Sequence, residues 1–171
     1  MAAGGRCVKL LFDETIGAPI ARALIDVARH HTEYTVDAVV MGDFEGCGSK
    51  DDHWAVRAQL EGRFVITGDR GRGDGPPLDI LLPYLGVSAA FMTGTLQSKR
   101  PQFEKARSVL FLWPAIVAAA SASTPGTRYR MRCLGDGYHF AEWPLNDKAR
   151  RRQVELLGKF PENLWEARFV K

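Results

Sequence analysis

Apolar residues fall along this chain in two alternating kinds of run. Four short runs, Cys7–Phe12, Tyr34–Met41, Phe64–Ile66 and Val87–Met92, are rich in aliphatic and β-branched residues with little polar alternation. Such runs read as strands, and Phe64–Ile66 as a buried parallel one. Between them the apolar positions recur at helical spacing. Ile20, Leu24, Ile25 and Ala28 form one stripe, opened by Gly17-Ala18-Pro19 with proline near the first turn. Trp54, Ala55, Ala58 and Leu60 form a second, within a helix expected over Asp51–Glu61 and closed by Gly62. A short helix is expected over Leu78–Leu85. A longer one starts at Pro101, runs through Phe103, Ala106, Leu110 and Trp113, breaks at Pro114 and resumes over Ile116–Ala120. Residues 46–50 and the Gly/Pro cluster 71–77 read as loops. Strands alternating with helices predict an α/β fold of three layers, α/β/α, around a mostly parallel sheet.

Past residue 125 the period changes to two. Tyr129, Met131 and Cys133 alternate with Arg128, Arg130 and Arg132, Asp136-Gly137 supplies a turn signal, and Tyr138–Trp143 pairs back. Asn146-Asp147 can cap a last helix, Lys148–Leu157. Residues 1–125 are therefore read as an α/β domain, and 126–171 as a basic hairpin-and-helix extension packed on it. Charge follows the same division. The first 125 residues carry 13 basic and 14 acidic side chains and the remainder 10 and 6, so the net charge of +3 resides in the extension. That permits a polyanionic partner. The longest apolar run, Val109–Ala120, is 12 residues and contains Pro114, too short to span a bilayer. The N-terminus has no signal-peptide pattern, so a cytoplasmic protein without a membrane partner is expected. Cys7, Cys47 and Cys133 are odd in number and widely spaced, which argues against a disulfide framework or a zinc site. The four histidines share no ligand spacing, and no Ser/His/Asp or Cys/His set stands out.

The chemistry lies in the acids. Asp13 closes the first strand, and Asp69 closes the central stretch RFVITGD. Asp51 opens the helix that leads back into that strand. All three should reach the carboxyl edge of the sheet, where open α/β sheets bind ligands. Carboxylates gathered without basic partners repel one another, and a divalent cation relieves that cost. Mg²⁺ or Mn²⁺ favours oxygen ligands and promotes phosphoryl chemistry. Arg70 and Arg72 flank Asp69, and Arg128, Arg130 and Arg132 share one strand face, so these five are candidates to hold the phosphates of a polyanion.

These residues resemble a known family. LLFDET, followed by KDDHWAVRAQLEGRFVITGD, is similar to the PIN-like nucleases related to VapC-type toxins. Asp51 stands eleven residues before Gly62, Trp54 fills the apolar slot after it, and Asp69 closes the strand. The resemblance covers roughly residues 7 to 121. It implies a PIN-like α/β/α fold and Mg²⁺- or Mn²⁺-dependent cleavage of single-stranded or structured RNA. Asp13, Asp51 and Asp69 would be the catalytic metal ligands, supported by Glu14, Thr15, Asp52 and Thr67. It also implies an antitoxin protein that covers the site and a homodimer, for which Val109–Ala120 offers an apolar surface. Two positions depart from the pattern. Thr15 stands where the group usually has Asn, and Gly71 where it often has a second acid, leaving Asp74 as the substitute fourth ligand. Without that acid the chain reads instead as a non-catalytic interaction module. Asp51 and Asp52 also fit a simple helix start, with Ser49-x-x-Asp52 as a capping box.

Overall fold

The computed structural model describes residues 7–30, 34–46, 51–70, 76–98 and 101–158. Six strands form a single sheet: β1 (Cys7–Phe12), β2 (Thr35–Val40), β3 (Phe64–Thr67), β4 (Ala89–Met92), β5 (Arg128–Leu134) and β6 (Gly137–Glu142). Their spatial order is β2-β1-β3-β4-β5-β6, parallel throughout except for β6, which pairs antiparallel with β5. The described helices are α1 (Ala18–Ala28), α2 (Met41–Phe44), α3 (Asp51–Glu61), α4 (Leu78–Tyr84), α5 (Thr95–Ser98), α6 (Gln102–Phe111), α7 (Trp113–Ala122) and α8 (Asp147–Leu157). The architecture is the expected three-layer α/β/α.

The central strands explain their own composition. Every residue of β3 (FVIT) and β4 (AAFM) is buried, so neither needs a polar face. Leu10, Phe12, Ile66, Met92 and Met131 point to one layer, packed with Leu24 of α1, Val109 of α6 and Ile116 of α7. Leu11, Val65, Ala89 and Phe91 point to the other, packed with Phe44 of α2, Trp54 of α3 and Leu81 of α4. Each fully buried large aliphatic or aromatic side chain contributes about 1.5–3 kcal/mol. Two dry faces on β3 and β4 are enough to fix the register of the central strands.

Several expectations are corrected. Leu60 of α3 is 54% exposed, so the inward face of that helix is Trp54, Ala55 and Ala58. On α6, Phe103 and Leu110 face outward, and the buried stripe is Ala106, Val109, Leu112 and Trp113. The break falls at Leu112, where α6 and α7 meet at 65°, and Pro114 sits in the first turn of α7. A proline there loses no helical hydrogen bond. The stretch Val109–Ala120 is divided between core and surface: Val109, Ile116 and Val117 are fully buried, while Leu110 and Phe111 are 46% and 67% exposed. No single described helix is long and apolar enough to cross a membrane. The hairpin is part of the sheet itself, since β5 pairs in parallel with β4 from Ala89↔Arg128 to Met92↔Met131. Its turn is Gly135-Asp136, one residue earlier than the sequence signal, with Gly135 at a φ of 58°. Asn146 does cap α8, accepting the Ala149 N–H at 2.8 Å.

Candidate active site at the β1/β3 edge

The strand order has one reversal beside β1. The chain leaves β1 for β2 on one side and returns to β3 on the other. Loops that leave adjacent strands in opposite directions open a crevice at their carboxyl ends, the usual ligand site of such sheets. Asp13 follows β1 and Asp69 follows β3, so both acids flank this point.

Threonine hydroxyls tie the two strand ends together. The Asp13 N–H donates to the Ile66 carbonyl at 3.0 Å, extending the β1–β3 ladder past the end of the strand. Asp13 Oδ2 accepts the Thr67 hydroxyl at 2.6 Å and the Thr15 hydroxyl at 2.8 Å, and Oδ1 accepts the Glu14 N–H at 2.8 Å. Thr67 Oγ1 in turn accepts the Asp69 N–H at 2.9 Å, and Thr15 Oγ1 accepts the Gly68 N–H at 2.8 Å. Asp69 Oδ1 accepts the N–H of Arg70 at 2.6 Å. Burial pushes the Asp13 carboxyl above the ordinary range. The hydrogen bonds from Thr67, Thr15 and the Glu14 amide oppose that shift, and the charge of Asp69 adds to it. The result is a carboxylate oriented on several sides, next to a second of like charge.

Asp51 stands at the start of α3, whose far end leads into β3. Its Oδ1 accepts the Trp54 indole N–H at 3.2 Å, which explains why that apolar slot suits a tryptophan. Among the described residues no group of three or more His, Cys, Asp or Glu converges closely enough to share a metal. The structure brings Asp13 and Asp69 into charge contact, and Asp51 is tied to Trp54 at the start of α3. Glu14 is exposed on the 3-10 turn after β1. Arg72 and Asp74 lie outside the described residues, as does the side chain of Asp52.

Of the basic candidates, Arg128 is corrected. It is 5% exposed and donates to the carbonyls of Asp79 at 2.9 Å and Trp143 at 3.1 Å, so it holds the fold together and is closed to RNA. Arg70, Arg130 and Arg132 are half-buried. Arg70 lies over the Trp143 ring at 5.1 Å. Lys105 of α6 is a residue that sequence reasoning missed: its ammonium donates to the Thr15 carbonyl at 3.3 Å. Ninety positions separate the two, and no local spacing signals a contact set by how α6 crosses the sheet. No family model, curated protein or solved structure matches this chain.

Proposed function

We propose that this chain is a Mg²⁺- or Mn²⁺-dependent ribonuclease of the PIN-like kind, hydrolysing phosphodiester bonds of single-stranded RNA. The carrying observation is the Asp13–Asp69 pair at the topological switch point, with Asp13 gripped by Thr15 and Thr67 and raised by burial and by its acidic neighbour. The donor set fits a small hard cation, which binds through one or two carboxylates and completes its shell with water and substrate phosphate. Asp13 and Asp69 would hold it, and when bound it would supply positive charge to polarise the phosphodiester and activate water. The threonines do the positioning, because a carboxylate held by two hydroxyls and an amide does not reorganise when charge develops. By resemblance, an antitoxin covering the site and a homodimer belong to the same reading.

The test is cleavage of a panel of single-stranded RNAs with Mn²⁺ or Mg²⁺, beside EDTA and an Asp69→Asn variant. Metal-dependent cleavage that disappears in the variant supports the reading. Absence of cleavage together with absence of Mn²⁺ binding by the folded protein overturns it. One observation favours a second reading, a non-catalytic interaction module: no third carboxylate joins Asp13 and Asp69 among the described residues.

A further inference from the structure

Two guanidinium groups near the acid pair hold a buried nitrogen with no hydrogen-bond partner, Nε of Arg70 and Nε of Arg130. The contrast with other arginines is informative. Arg22, Arg29, Arg57, Arg63, Arg107 and Arg128 each reach a carboxylate, at distances from 2.6 to 3.7 Å. Among the described residues Arg70 and Arg130 make no such pair, although each has a guanidinium nitrogen withdrawn from water. A desolvated cationic donor without an acceptor costs more than a neutral one, and native proteins rarely leave it so unless something else supplies the acceptor.

The sheet register shows where that acceptor would sit. Phe12 is opposite Ile66, which places Asp13 beside Thr67; Thr67 is opposite Phe91, and Phe91 is opposite Arg130. One row across the carboxyl edge thus runs Asp13, Thr67, Phe91, Arg130. Strands lie about 4.8 Å apart, so Arg130 starts on the order of 10 Å from Thr67, within one nucleotide's reach of the acids once the side chain extends. Arg70 leaves the end of β3 and lies over Trp143, and Trp143 packs edge-on against Phe91 with ring centroids 6.1 Å apart. Phe91, the sheet neighbour of Arg130, is thus in ring contact with Trp143, over which Arg70 lies. Asp79 is in charge contact with Arg70, but its carboxylate already lies 3.7 Å from Arg128.

We propose that Arg70 and Arg130 form a phosphate-binding subsite for the nucleotide flanking the scissile bond, on the β4–β5 side of the Asp13–Asp69 pair. The inference rests on the ribonuclease reading and adds to it how the substrate is held. Two carboxylates repel a polyanion, so cationic groups beside them are needed for an RNA strand to settle. Guanidinium suits the task because its planar fork bonds two phosphate oxygens at once. Arg128, one step back on the same strand face, is closed by its bonds to Asp79 and Trp143 and is not part of the subsite.

The experiment is binding of a short fluorescein-labelled single-stranded RNA in EDTA, where no cleavage occurs, followed by anisotropy over a series of salt concentrations. Arg70→Gln and Arg130→Gln should each weaken binding about tenfold, the effect of losing one charge-assisted hydrogen-bonded contact. Each should also flatten the slope of log K against log salt by about 0.7, the single-strand value per phosphate contact. Arg130→Lys should restore the slope but only part of the affinity. Arg29→Gln, on the opposite layer, should change neither. If Arg130→Gln does not fold, as thermal melting would show, Arg70→Gln in the loop carries the test. Wild-type binding with unchanged affinity and slope in the folded variants overturns the subsite and leaves the ribonuclease reading standing. Failure of the wild type both to bind RNA and to cleave it with Mn²⁺ removes the two together.

Discussion

Thr67 is fully buried at the end of β3, and its hydroxyl both donates to Asp13 and accepts from the Asp69 amide. Thr67→Val keeps the shape and removes both bonds. The variant should lose about 1–2 kcal/mol of stability in urea unfolding. Its RNA cleavage should fall at least tenfold while RNA affinity stays near wild type. The carboxyl it holds has a pH signature. Burial raises Asp13 in the folded chain, so its native state takes up a proton more readily than the unfolded chain does. Stability from this group is full below the ordinary carboxylate value and is lost as pH rises through the raised native value. On the proposed function, a divalent cation would compete with that proton. The rise in melting temperature caused by Mn²⁺ should therefore grow as pH climbs through the Asp13 titration and vanish in Asp13→Asn. A Mn²⁺ effect of equal size at every pH would contradict this. Asp13, Asp69 and Thr67 could be picked out in the sequence because strand-end residues follow directly from where an apolar run stops. The grip of Thr15 and Thr67 on the same oxygen could not, since it depends on β1 and β3 being neighbours.

Connections between elements impose their own demands. Gly126, between α7 and β5, has a φ of 81°, and a Cβ there would stand 2.6 Å from the Pro83 carbonyl oxygen. Gly62, between α3 and β3, has a φ of 66° with nothing within 4 Å of the same position. Gly62→Ala should thus cost only the left-handed backbone penalty, about 1–2 kcal/mol. Gly126→Ala should cost clearly more, because the α4 backbone must also move. Chemical denaturation of the two variants side by side checks the difference. Helix ends and strand bounds were readable in advance for the same local reason: Gly62 after α3, Pro19 at the start of α1 and Asn146 before α8 satisfy or relieve backbone groups within a few residues. The outward turn of Phe103 and Leu110 was not readable. A helix with apolar residues on more than one face does not state which face the sheet will cover, and α6 buries Ala106 and Val109 instead.

Arg128 joins three parts of the molecule, from β5 to the start of α4 and to the residue after β6. Asp79, facing it at 3.7 Å, is raised by burial against the pull of Arg128, Arg70 and Arg152. Arg128→Met leaves two carbonyls without their donor and the half-buried Asp79 carboxylate without its ion-pair partner. A loss of about 3–5 kcal/mol is expected, as for breaking one side of a buried pair. The deficit should widen as pH rises through the Asp79 titration, because the variant then holds that anion with only the more distant pull of Arg70 and Arg152 against its burial. Guanidine unfolding of both proteins across that range measures it.

The order of apolar and polar residues was enough to establish the strands, most helices, the α/β/α class and the acids at the strand ends. Each of these depends on the dry face of one element or on a backbone group within a turn of it. Whether Arg128 is closed or open, which residues of Val109–Ala120 are core and which are surface, which acids meet, and that Lys105 reaches Thr15 were all decided by the packing of elements distant in sequence. A periodicity records that a face must be kept from water, but the neighbour that covers it is chosen only when the strands take their order in the sheet.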